Sequence, residues 1–230
     1  MCNLKKILIK KFIREKGGYF GLLGVLSNSI SVIVAYLLYS QVNPSFNTIS
    51  YAVSDLGTGP NMSNVVYKIG AIVTGFSLVF LHLSLISFLH DRKPDSHIIK
   101  ITKLVALISA IGLIILGNVP FKRDKPFFFI GHGSTTATHY VAGSIAFICY
   151  GFLEIFILKF SKVLGILSFS TGFIYGSLWI GYVLDYLFKI PRAYVNYTLQ
   201  WINLAGILLW LLVHSTFLIK IKRKSGRFDE

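Results

Sequence analysis

The sequence predicts an all-α integral membrane bundle of six transmembrane helices, and three observations carry that prediction. Hydrophobic residues fill 54% of the 230 positions and charged residues only 14%, where soluble domains carry about a quarter charged residues. The apolar residues gather in blocks of about twenty, the length that crosses roughly 30 Å of hydrocarbon at 1.5 Å per residue. Lys and Arg collect at the ends of those blocks, where they set orientation and meet anionic headgroups. The same distribution disposes of nucleic acid as a partner, because the formal charge of +14 is spread as membrane anchors.

Residues 1–17 (MCNLKKILIKKFIREKG) are basic, with Leu4, Ile7, Leu8, Phe12 and Ile13 between the charges. They are expected to form a cytoplasmic interfacial segment. They lead into a span too long for a signal h-region, so a cleavable leader is not expected. The six spans are placed at 18–40, 64–89, 99–119, 138–158, 163–188 and 197–219, making one transmembrane domain over 18–219. A basic cytoplasmic tail follows at 220–230. Within the fifth span Gly172 and Gly176 are spaced as GxxxG, with Ser168 one turn earlier, a stripe that allows close helix packing.

Orientation follows from charge. Of the 23 Lys and Arg residues, only Lys68, Lys122, Arg123, Lys125, Lys189 and Arg192 fall on one side of the predicted bundle. The remaining seventeen mark the other side as cytoplasmic, which puts both termini inside the cell membrane. The outer side also holds the sequons Asn61-Met-Ser and Asn196-Tyr-Thr. Cys2 and Cys149 lie at different depths, and no CxxC signature is present. Neither an internal repeat nor a matched pair of broken helices is visible, which argues against an inverted-repeat transporter.

Ionisable groups at membrane depth are costly and therefore functional suspects. They fall into two layers. The outer layer contains Ser54 and Asp55 in SYAVSDLGTGP, and Asn118 with Pro120 at the end of the third span. It continues with His132 and His139 flanking HGSTTATH, Asp185 near the end of the fifth span, Arg192 in the next loop, and Trp201 and Asn203 beginning the sixth. Brought together, Asp55, His139 and Asp185 would supply acid/base groups, and Ser54, His132, Asn118 and Arg192 would bind a ligand, Arg192 gripping an anion. The bland alternatives are that Asp55 caps a Gly/Pro turn and that Asp185 pairs with Arg192. The inner layer contains His82, His90, Glu154 and His214. His82 and His214 fall at similar depth, and Glu154 can approach them. No HxxxH or HExxH motif accompanies them, so no metal site is expected, and the sequence names no cofactor.

Two stretches resemble a known family. SYAVSDLGTGPNMSNVVYKIGAIVTG is similar to the first-loop signature of the membrane family known as domain of unknown function 998. The segment GNVPFKRD…HGSTTATHYVAGSIAF resembles that family's Pro-then-His segment before the fourth span. More distantly, both resemble the six-span DRAM and Frag-type proteins, although His139-Tyr-Val-Ala-Gly143 matches the latter's fourth helix only loosely. The resemblance implies six spans and points to Ser54, Asp55, Gly57, Pro120 and His139. It implies no reaction, and lipid-related membrane processes only through the distant relatives.

Three functions follow as expectations. The first is an outer-face polar pocket that binds or modifies a membrane lipid headgroup or other amphiphile. The second is a non-catalytic accessory subunit of a larger membrane complex, using its GxxxG face and apolar surfaces against other subunits. The third is a proton-coupled transporter with the inner histidines and Glu154 as a relay. Whether the chain is an enzyme is not readable from the sequence.

Overall fold

The computed structural model describes residues 2–94, 96–118, 134–188 and 195–225. Helix α1 spans Cys2–Val42, followed by a 3-10 turn at Val53–Thr58, α2 at Ser63–Arg92 and α3 at His97–Asn118. Helix α4 covers Ser134–Phe152 and continues as a π turn at Leu153–Ile157; α5 covers Lys162–Phe188 and α6 Val195–Ser225. No strand occurs among the described residues. All six helices are long and apolar enough to cross a membrane, and the chain is a polytopic membrane protein. The predicted spans match them to within a few residues, apart from the start of the first and the end of the last. The basic residues of α1, α6 and the α2–α3 connection share one end of the bundle, the basic end. The first loop, residues 43–62, lies at the other, the loop end.

The helices form a closed ring in chain order. Each packs against the next, from α1 on α2 through α5 on α6, and α6 returns to α1. No break separates the basic segment from the first span. Helix α1 runs through the predicted boundary for 41 residues, about 60 Å and twice the hydrocarbon thickness. Gly17 and Gly18 mark a crossing point there. A Cβ on Gly17 would meet the side chain of Ser84 on α2, and one on Gly18 would meet the Ser215 carbonyl of α6 at 2.8 Å.

The GxxxG stripe is used inside the chain. Ser144 Oγ of α4 donates to the Gly172 carbonyl at 2.8 Å, and a Cβ on Gly176 would sit 2.9 Å from the same hydroxyl. Nearer the basic end, Gly151 and Gly165 face each other, and a Cβ on either would come within 2.9 and 3.1 Å of the other's carbonyl. Lys159, in the left-handed conformation at φ 49°, turns the chain between these helices, and Ser161 Oγ accepts the Leu164 amide at 3.2 Å to cap α5.

The first loop folds as a compact lid of aromatic rings. Phe46 and Leu56 are buried with Val32 and Ala35, against Tyr36, Tyr39, Tyr51 and Trp201. Tyr39 stacks on Phe46 at 4.1 Å, and Trp201 Nε1 donates to the Tyr51 carbonyl at 2.9 Å. A larger cluster fills the middle of the bundle, with Leu81, Phe147, Tyr150, Tyr175, Trp210 and Leu211 among its members.

Candidate functional site

Helix α4 turns one continuous face inward. His139, Gly143, Phe147, Tyr150 and Glu154 recur at intervals of three and four residues, and all are buried, as one side of a helix requires. This stripe runs about 22 Å along the bundle axis and carries a polar node at each end.

The node toward the basic end joins three helices. Glu154 sits in the π turn of α4, a local widening of the helix that recurs at functional sites. Its Oε1 lies 3.0 Å from His214 Nε2 of α6, and its Oε2 accepts Ser168 Oγ of α5 at 2.9 Å. Ser168 in turn accepts the Trp210 indole N–H at 2.8 Å. His214 Nδ1 lies 2.9 Å from the Trp210 carbonyl. That carbonyl can only accept, so Nδ1 carries a hydrogen and Nε2 is the ring nitrogen that faces Glu154. A single proton is therefore shared between Nε2 and Oε1, either as imidazolium and carboxylate or as imidazole and carboxylic acid. Both forms are neutral overall. Glu154 and His214 are 1% and 0% exposed, and this neutrality, with a partner on every polar atom, makes such burial tolerable.

The arrangement is not a hydrolytic triad. There the acid and the nucleophile bind opposite ring nitrogens, whereas here Glu154 and Ser168 both approach Nε2, Ser168 at 3.4 Å. Trp210 stacks on His214 at 4.1 Å. His82 of α2 and Tyr150 also lie against Trp210, with ring centroids 5.7 and 5.5 Å away. His82 Nδ1 lies 3.1 Å from the Tyr150 hydroxyl.

The node toward the loop end is built on His139. Its Nδ1 donates to the Ser109 carbonyl of α3 at 2.7 Å, and its Nε2 accepts the Tyr175 hydroxyl of α5 at 2.6 Å. Ser109 Oγ donates back to the His139 carbonyl at 3.1 Å. Glycines make the room: a Cβ on Gly112 would meet His139 Cβ at 3.1 Å, and one on Gly143 would meet the Tyr175 ring and Ser109 Oγ.

The other predicted residues are placed as follows. Asp55 Oδ2 accepts the Ala52 amide at 2.8 Å, which caps the 3-10 turn. Ser54 Oγ approaches Gln200 Oε1 at 3.5 Å. Asn118 is exposed and donates to the Ile114 carbonyl one turn back at 2.9 Å. His139, expected in the outer polar layer, is 5% exposed, with α3 and α5 closed over it. Asp55 is bonded within the first loop, and His139 is bonded to α3 and α5. Asp185 falls within α5, but its side chain lies outside the described residues, as do His132, Pro120 and Arg192. Among the described residues no group of three His, Cys, Asp or Glu is placed to hold a metal ion.

Ser168 was legible only as a packing residue, and Tyr150, Tyr175 and Trp210 carried no signal of their own. The repeat of polar and aromatic residues along one face of α4, and the Trp210–His214 spacing on α6, were the available clues. No family model, curated protein or solved structure matches this chain.

Proposed function

We propose that this chain is a proton-coupled carrier, with the Glu154–His214 pair as the site that takes up and releases the proton. One observation supports this reading above the others: an ionisable pair, buried at membrane depth, ties α4, α5 and α6 together through a π turn. A second proton on the pair makes a carboxylic acid beside an imidazolium, and loss of the shared proton leaves a carboxylate beside a neutral ring. Either change puts net charge in a low-dielectric interior. The three helices then gain by moving apart far enough to admit water, and proton binding becomes helix movement. The positive-inside rule adds the direction: the basic end faces the cytoplasm. The resemblance to the domain of unknown function 998 family fits six spans and adds no chemistry.

Trp210 provides a reporter, because an imidazolium stacked on an indole quenches its fluorescence. With Trp179→Phe and Trp201→Phe, Trp210 is the remaining tryptophan. Its emission is expected to fall on acidification, and Glu154→Gln should displace the midpoint. In proteoliposomes a pH gradient should drive proton flux that Glu154→Gln abolishes. Emission independent of pH, together with no flux in the unmodified protein, would sink the proposal.

A further inference from the structure

We infer that His139, with Tyr175 and Ser109, forms a second proton station in the loop-end half of the axis, exchanging with Glu154–His214 through water that enters past the intervening aromatic rings when the helices part. This rests on the proton-carrier reading and extends it from one site to a path.

The two stations lie on the same face of α4, fifteen residues apart by their numbers, about 22 Å. Between them the axis is filled by Phe147, Tyr150 and Trp210. Phe147 sets its ring edge-on to Tyr175 at 5.5 Å on one side and to Trp210 at 4.8 Å on the other. Tyr175 therefore belongs to the His139 station and Trp210 to the Glu154–His214 station, and Phe147 separates them.

The hydrogen bonds at His139 define its protonation step. Nδ1 is fixed as a donor by the Ser109 carbonyl, so a proton can add only at Nε2, where the Tyr175 hydroxyl now donates. When Nε2 gains a proton the ring becomes an imidazolium. The hydrogen bond reverses, so that Nε2–H donates to the Tyr175 oxygen, and the Tyr175 hydrogen swings to another acceptor. No heavy-atom bond changes, and the single positive charge stays on the ring. A spare acceptor exists in this half of the bundle. Asn203 Oδ1 is buried without a hydrogen-bond partner, and Asn203 is 3% exposed. It shares the inward face of α6 with Trp210 and His214, about 10 Å closer to the loop end than Trp210. A buried amide oxygen left without a donor is unusual, and a turned Tyr175 hydroxyl would supply one.

Among the described residues, few titratable groups surround the station. Tyr140 of α4 lies against both rings, 5.5 Å from His139 and 5.0 Å from Tyr175. Tyr67 of α2 is within electrostatic reach of Tyr140, Tyr175 and Asp55. From α3 the contact is the uncharged Ser109, and the buried polar residue of α6 in this half is the uncharged Asn203.

A histidine that is only a packing post stays neutral wherever the bundle is folded, and this separates the two roles. In nanodiscs, ¹⁵N-histidine spectra should show His139 with Nδ1 protonated at high pH and as an imidazolium at low pH. Tyr175→Phe and Asn203→Leu should each move that midpoint. In proteoliposomes Tyr175→Phe should lower gradient-driven proton flux at least tenfold while the Trp210 fluorescence response persists. A His139 that stays neutral throughout, or Tyr175→Phe with unmodified flux, would overturn the second station and leave the Glu154–His214 site standing. If the unmodified protein carries no flux, the carrier reading fails instead, and the His139 titration still decides whether this residue accepts a proton.

Discussion

Two carboxylates, one in the first loop and one in the interior, put the same chemical group to opposite uses. Asp55 accepts a backbone amide three residues away, a bond that closes a local turn. Glu154 accepts from side chains on two other helices, so its bonds exist only when the bundle is assembled. The surroundings differ in the same sense. Around Asp55 the loop is held by stacked rings, including Tyr39 on Phe46. Around Glu154 the fit depends on a satisfied polar network. A bond from a carboxylate to its own backbone steadies a turn, whereas one that joins helices can transmit a change of charge.

The contrast can be broken experimentally at several strengths. The largest effect is expected for Glu154→Ala or His214→Ala, each of which strands a buried partner. Either should cost about 3–5 kcal/mol in reversible unfolding in detergent, while Glu154→Leu combined with His214→Leu should cost clearly less than the two single changes added together. Additive costs would show that the two side chains do not depend on each other. Next comes Gly151→Leu at the α4–α5 crossing, where a side chain would be driven against the Gly165 carbonyl. Overpacking of this kind is worth about 1–3 kcal/mol, and the π turn beside it should be disturbed, visible as a changed Trp210 emission. The smallest effect is expected for Asp55→Ala at the first-loop turn, where a cap bond is worth about 1 kcal/mol, with proton flux unchanged. A larger loss of flux at Asp55 than at Glu154 would invert the comparison.

The fold was open to sequence reading because its main signal, blocks of apolar residues long enough to span a bilayer, is a one-dimensional quantity. The same was true of the small-residue stripe at Gly172 and Gly176, although its partner, Ser144 on the preceding helix, was not. The continuity of α1 is not legible in the sequence, because the charges of the basic segment resemble a separate interfacial helix, while the two glycines Gly17 and Gly18 serve contact with Ser84 and Ser215 and do not break α1. The site was harder to read. His82 and His214 were correctly placed at similar depth, yet His82 meets Tyr150 and it is Glu154 that meets His214. Depth follows from residue numbers, whereas rotation about each helix axis depends on packing. The π turn adds to the difficulty, since a regular helical wheel does not describe the widened turn at Leu153–Ile157 that carries Glu154.

The ring order of the helices has a consequence for how the protein is made. As the chain emerges from the ribosome, each new helix finds its neighbour already in the membrane, from α2 on α1 through α5 on α4. The seam between α1 and α6 is the exception, closing only after synthesis of the final span. Glu154 enters the bilayer well before His214 exists, so during that interval it has Ser168 at most and no imidazole. Truncated nascent chains ending before α6 should therefore hold α4 loosely, and they are the natural clients of insertion chaperones and membrane quality-control proteases.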